Sequence, residues 1–146
     1  LHRPNWSFTG GGLSDIDDFE SRMWHMDGLE NEVYFQSLFQ KITDKIGREL
    51  KNSSLIRCYA NGQTATQSGV PHKDDGDITL LYFPTPWLHY IGGHLYFGDK
   101  GLDRTIEYKQ NRIVKFPGNI MHYAGAPDKA YTGLRISLAF KVKINE

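Results

Sequence analysis

Cysteine is almost missing from this 146-residue sequence: Cys58 stands alone, so no internal disulfide can form, and there is no CxxC pair or Cys/His zinc spacing. A lone thiol suits a reducing compartment, and the expected location is cytoplasmic. Net charge is missing too. Lys plus Arg and Asp plus Glu each count 17, which excludes the broad basic field behind non-specific nucleic-acid binding and leaves only a local groove for it. No apolar run is long enough to cross a bilayer, and the opening "LHRPNWSFTGGG" lacks an apolar signal-peptide core, so the chain reads as soluble with no membrane partner. It opens on Leu1 and not on methionine, so a targeting segment ahead of it is left open. Neither internal repeats nor low-complexity stretches occur, and the glycines at 10–12 read as a flexible connection. The length suits one domain, taken as 1–146.

What is present is a helix followed by strands. Phe35, Leu38, Phe39, Ile42, Ile46 and Leu50 recur at helical spacing, with Lys41, Asp44, Lys45 and Arg48 between them. Beyond "KNSS" the pattern shortens to "LIRCYA", "DITLLYF", "GHLYFG", "RTIEY", "NRIVKF" and "LRISLAFKVKI", divided by Gly, Pro and Asn. The expected fold is mainly β, an antiparallel sandwich or barrel supported by an N-terminal helix. In the last strand Leu134, Ile136, Leu138, Phe140, Val142 and Ile144 share one face, which is expected to cover the helix. Arg135, Ser137, Ala139 and Lys141 share the other and look into the space between the sheets.

The chemistry gathers in "VPHKDDGDITLLYFP" at 70–84. In an extended segment His72 and Asp74 point to one side and Lys73 and Asp75 to the other. An imidazole and a carboxylate completed by a distant histidine form the facial triad that leaves open positions on non-haem Fe(II). The same residues also suit an ordinary polar turn. His25, His89, His94 and His122 are all candidates for the third ligand besides the terminal His2, and spacing alone does not choose; for His25 and His89 a packing or surface role is preferred. His122 follows "FPGN", a rigid turn able to aim a side chain into a barrel mouth. Arg135 turns a permanent charge inward and therefore needs an anionic partner, from the protein or from a ligand, with the Ser137 hydroxyl on the same face.

Taken together, "CYANGQ" (58–63), His72-Lys73-Asp74, "LLYFP" (80–84), "GGHLYF" (92–97), "RIVKFPGNIMH" (112–122) and "GLRISLAF" (133–140) resemble the Fe(II)/2-oxoglutarate-dependent dioxygenases over about residues 54–142, most closely the prolyl 4-hydroxylase-like branch. The resemblance implies a double-stranded β-helix, or jelly roll, with iron near its open end. It implies that His72, Asp74 and His122 are the metal ligands and catalytic centre, with Asp75 and Asp77 as turn or supporting residues. Arg135, with Ser137, matches the family's binding site for the distal carboxylate of 2-oxoglutarate; Tyr82 matches a tyrosine holding the same group, and Tyr59 one lining the site. His94 stands where glutamate is common and reads as structural. Asp74 argues against a halogenase relative, which vacates that position for halide. The match departs at Thr132, where prolyl hydroxylases carry a basic residue, and Arg135-x-Ser137 is closer to other branches.

The implied activity is hydroxylation coupled to oxidative decarboxylation of 2-oxoglutarate, using Fe(II) and dioxygen, with ascorbate as a reductant. A prolyl residue in a peptide or protein is the first choice of acceptor, with Trp87 and Tyr90 in "TPWLHYIGG" as an aromatic rim or as loop packing. A small-molecule metabolite is the alternative acceptor, and nucleic acid is disfavoured by the balanced charge. A jelly-roll ligand-binding module without catalysis is the reading from another class. The sequence leaves the oligomeric state open.

Overall fold

The apolar stripe beginning at Phe35 does build a helix. In the computed structural model, which describes residues 4–9 and 22–146, α1 spans Val33–Ile46. It stops at Gly47, whose φ of 99° is open to glycine, and a separate 3-10 turn over Arg48–Leu50 carries Leu50 back into the core. His2 and the glycines at 10–12 lie outside the described residues.

Among the described residues nine strands accompany the helix: β1 Ser7–Thr9, β2 Met23–Met26, β3 Ser53–Gln63, β4 Ile78–Tyr82, β5 Leu95–Phe97, β6 Arg104–Ile106, β7 Ile113–Pro117, β8 His122–Ala124 and β9 Arg135–Ile144. They form an antiparallel six-stranded sheet, ordered β1-β2-β3-β9-β4-β7, and a three-stranded sheet ordered β6-β5-β8. All six expected strands are present. β1, β2 and β8 were not expected, being too short to show an alternation.

β9 lies between β3 and β4 and has a core on each side. Leu138, Phe140 and Val142 join Leu29, Ile42, Leu50, Cys58 and Leu80 beneath α1, with Phe39 stacked on Phe140 at 6.0 Å between ring centres. On the other face Ala139 joins Tyr59, Leu81, Phe83, Leu95, Phe97, Tyr108 and Phe116 between the two sheets. The same side carries the polar residues Arg135, Ser137 and Lys141, all buried. No described helix is long and apolar enough to cross a membrane. Burial pushes the Cys58 thiol up to about 12, so it is inert packing.

Phe140 is fully buried at the contact between sheet and helix. Phe140→Ala is expected to destabilise the fold by about 3–5 kcal/mol. Urea unfolding measures this; a loss below about 1 kcal/mol would mean that the helix does not close over β9.

Candidate active site

Two turns interlock to bring the histidines together. The Asp74 amide donates to Gly118 O at 2.8 Å, and the Gly118 amide donates to Asp77 O at 3.0 Å. A side chain at 118 would begin 2.7 Å from Gly76 O, so glycine is what allows this approach. His72 and His122 then exchange backbone hydrogen bonds at 3.0 and 2.9 Å as an antiparallel bridge, which aligns their side chains.

Both rings are oriented by the backbone. His72 Nδ1 lies 2.8 Å from Val70 O and His122 Nδ1 lies 2.9 Å from Ile120 O. A carbonyl only accepts, so Nδ1 carries a hydrogen, and Nε2 is the nitrogen whose lone pair a metal would take. Both Nε2 atoms face Asp74: His72 is 3.3 Å from Oδ1 and His122 is 3.3 Å from Oδ2. One donor atom from each residue falls within a 4.8 Å cluster. Two imidazole nitrogens and a carboxylate oxygen fit Fe(II) and leave coordination positions open. The His72 side chain is 23% exposed, against 7% for His122 and 3% for Asp74, so the approach from solvent is on the His72 side.

The Asp74 carboxylate is ionised. Burial acts to raise its pKa, but His122, His72 and Lys141 together hold it well below the usual carboxylate range. Thr79 donates its hydroxyl to Oδ2 at 2.6 Å, and the Lys141 ammonium is paired with the same oxygen. Burial pushes the Lys141 ammonium down, with Asp74 opposing. Asp75 is exposed, and Asp77 pairs with Lys143 at 3.1 Å at the surface and accepts from the Ile144 amide. Behind His122 the wall is aromatic, with Phe116 at 4.7 Å and Phe97 at 6.2 Å between ring centres. A cleft of about 780 Å³ between β6 and β7 lies against these two rings and holds none of the triad.

Arg135 forms the second pole. It is fully buried, its Nε donates to Gly93 O at 2.7 Å and its Nη1 to Gln63 Oε1 at 2.7 Å, and its guanidinium lies 4.5 Å from the Tyr108 ring centre. Nη2 has no partner, and among the described residues no carboxylate is paired with the guanidinium. Burial pushes its pKa down to about 10. A buried cation met only by neutral acceptors, with one donor left over, fits a ligand carboxylate such as the distal group of 2-oxoglutarate. Gly93, at φ +68°, makes room: a Cβ there would lie 2.9 Å from Arg135 Cδ.

Tyr82 must be corrected. It lies on the β4 face that packs with Ile78 and Leu80 beneath α1, and its hydroxyl donates to Asn111 Oδ1 at 2.8 Å. The tyrosine ring that Arg135 lies over is Tyr108, whose hydroxyl donates to Ile136 O at 2.6 Å and accepts from the Thr85 amide. Tyr59 is buried on the inner face of β3, with Lys141 Nζ 5.3 Å from its ring centre, and Ser137 is buried on the inner face of β9. His25, half of a buried pair with Asn61 at 2.8 Å, packs on Tyr59; His89 is exposed. His94 Nδ1 accepts the Tyr108 amide at 3.2 Å, which is a structural role. Trp87 packs inward on Tyr108 and Tyr131, so only Tyr90, 70% exposed, remains of the expected rim. Sequence reasoning passed over Thr79, Gln63 and Tyr108, and placed Lys141 on the inner face without giving it a role.

The architecture is similar to that of several solved structures. The viral collagen prolyl hydroxylase of Paramecium bursaria Chlorella virus-1, a 2OG complex, superposes with a TM-score of 0.66 at 14% identity, covering 84% of this chain and 79% of that one. The fold is that of the 2OG-Fe(II) oxygenases. A 2OG-Fe(II) oxygenase family protein from Burkholderia pseudomallei gives 0.67 at 11% identity, over 97% and 74% of the two chains. The Trichoplax adhaerens prolyl hydroxylase, in complex with a hypoxia inducible factor peptide fragment, gives 0.60 at 16%, over 92% and 70%. No family model matches the chain, and no curated protein does. On the 2OG oxygenase fold, the candidate triad sits where β8 meets the segment ahead of β4.

Asp74→Ala is expected to abolish binding of Mn(II) or Co(II), while Asp75→Ala leaves it nearly intact, because only Asp74 faces both imidazoles. Affinity should also fall in acid, since ligating imidazoles must be neutral. Titration calorimetry across pH checks both; equal loss in the two variants would place the carboxylate ligand elsewhere.

Proposed function

We propose that this chain is an Fe(II)- and 2-oxoglutarate-dependent hydroxylase acting on prolyl residues of a peptide or protein. The observation that carries the reading is the pairing of two unlike poles in one interior: a convergent His72–Asp74–His122 donor set, and a buried Arg135 with an unpartnered nitrogen. A metal alone would not call for the second pole.

His72, Asp74 and His122 would hold the iron through Nε2, a carboxylate oxygen and Nε2. Arg135 would receive the distal carboxylate of 2-oxoglutarate on Nη2, with its other nitrogens already fixed by Gly93 and Gln63, so that little side-chain entropy is lost on binding. Ser137 offers a hydroxyl beside it, and Tyr59 walls the space on the triad side. When bound, iron and 2-oxoglutarate supply the oxidising chemistry, in which dioxygen gives succinate, carbon dioxide and one hydroxyl on the substrate. The protein's part is to orient these groups and exclude water. Ascorbate would serve to return oxidised iron to Fe(II).

The prolyl assignment draws on fold neighbours that are prolyl hydroxylases, one of them bound to a peptide. Small-metabolite hydroxylation is the second reading, favoured by the Arg135-x-Ser137 arrangement and by Thr132 where a basic residue is usual in the prolyl branch.

Truncating one partner of a buried charge pair costs about 2–5 kcal/mol, or roughly 30-fold or more in affinity. Arg135→Ala should therefore weaken 2-oxoglutarate binding by that order on Mn(II)-loaded protein with little change in Mn(II) affinity, and Arg135→Lys should recover part of it. Wild-type 2-oxoglutarate affinity in a folded Arg135→Ala would remove the cosubstrate pole. Succinate release with Fe(II), 2-oxoglutarate and proline-bearing peptides, read by mass spectrometry for a gain of one oxygen at proline, tests the acceptor. Coupled turnover confined to a free metabolite would overturn the prolyl part.

A further inference from the structure

The two oxygens of Asp74 are unequally engaged. Oδ2 accepts from the Thr79 hydroxyl at 2.6 Å and from the Lys141 ammonium, and a carboxylate oxygen has about two lone-pair sites. Those two donors fill them, and His122 Nε2 stands off from the same oxygen at 3.3 Å. Oδ1 is met by His72 Nε2 at 3.3 Å. Lys141 itself is 2% exposed, with Nζ 3.4 Å from Thr79 Oγ1 and 5.3 Å from the centre of the Tyr59 ring. Thr79 on β4 lies directly across from Lys141 on β9, so the sheet register delivers both donors to one oxygen. An ammonium is an expensive side chain to bury where its neighbours along the strand face, Ala139 and Ser137, are small and uncharged.

We propose that Lys141 is a positioning residue for the metal centre: together with Thr79 it occupies Asp74 Oδ2 and leaves Oδ1 as the one carboxylate atom a metal ion can take. The proposal rests on the reading of His72, Asp74 and His122 as metal ligands. It has two consequences. With Lys141 in place, Asp74 uses up one coordination position and not two, which keeps positions open for a chelating cosubstrate and for dioxygen. The ammonium also withdraws charge from the carboxylate and repels a nearby dication, so the site binds metal less tightly than its ligands alone would. Lys141 exchanges affinity for open coordination.

The probe is Co(II) alone, whose d–d absorption reports its coordination sphere, added to folded wild type, Lys141→Met, Lys141→Arg and Thr79→Val, with affinity read by calorimetry. Lys141→Met is expected to bind Co(II) about tenfold more tightly or better, with an altered d–d spectrum as the second carboxylate oxygen enters the coordination sphere. Lys141→Arg should restore the wild-type spectrum, and Thr79→Val should shift it part of the way. A folded Lys141→Met with wild-type affinity and spectrum, or one that loses Co(II), overturns the proposal: Lys141 would then serve only to neutralise a buried carboxylate. If Lys141→Met does not fold, Thr79→Val decides, because a wild-type spectrum there is incompatible with Oδ2 being held in reserve. Wild-type protein that binds no Co(II) at all would overturn the metal reading and the proposal with it, a result distinct from any difference among variants.

Discussion

An ionised carboxylate in a space that leaves 3% of its side chain exposed is the constraint to which the interior answers. A charge left alone there costs several kcal/mol, so partners have to come from every direction. Thr79 comes from β4, Lys141 from β9, His122 from β8, and His72 from the segment bridged to it. Since β8 belongs to one sheet and β4 and β9 to the other, the partners of Asp74 are satisfied only when both sheets are assembled and facing. The polar centre and the sandwich are therefore parts of one cooperative arrangement.

The opposite end of β9 follows a different logic. Around Arg135 the described residues supply two carbonyl-type acceptors and an aromatic face, and none of them pairs a carboxylate with the guanidinium. Gln63 is itself pinned, its amide nitrogen donating to Gln67 O at 2.8 Å, so its oxygen is directed at the guanidinium. The cation is held rigidly and left electrically unanswered, which is the form that preorganisation for an anion takes.

What the sequence made legible depended on how many faces of an element are covered. α1 has one buried stripe, and its period is plain from Phe35 to Ile46. β9 alternates apolar and polar, and its two faces were assigned from that alternation alone. β4 is different: it is covered on both sides, so "ITLLY" is mostly apolar and carries no parity. Tyr82 was for that reason put on the wrong face. Tyr108 ended the expected strand "RTIEY", but β6 stops at Ile106, and the place of Tyr108 beside Arg135 arises from packing. His72 and Asp74 were readable as a pair because they are near in sequence. The choice of His122 over three other histidines came from resemblance; physically it follows from the fit of the Gly118 turn against Gly76, which no spacing rule encodes. Lys141 was put on the inner face by the alternation of β9, but its role depends on Asp74 and Thr79, which only the sheet register brings to it.

The paired backbone hydrogen bonds between His72 and His122 hold the two imidazoles side by side without any ion. An ion held by those rings would act as a clasp between two points far apart along the chain, with the loop between them containing β4 to β7. Closing such a loop in the unfolded chain is entropically costly, and an ion that binds only the closed form shifts the folding equilibrium by mass action. Metal supply would thus set what fraction of the protein is folded at equilibrium.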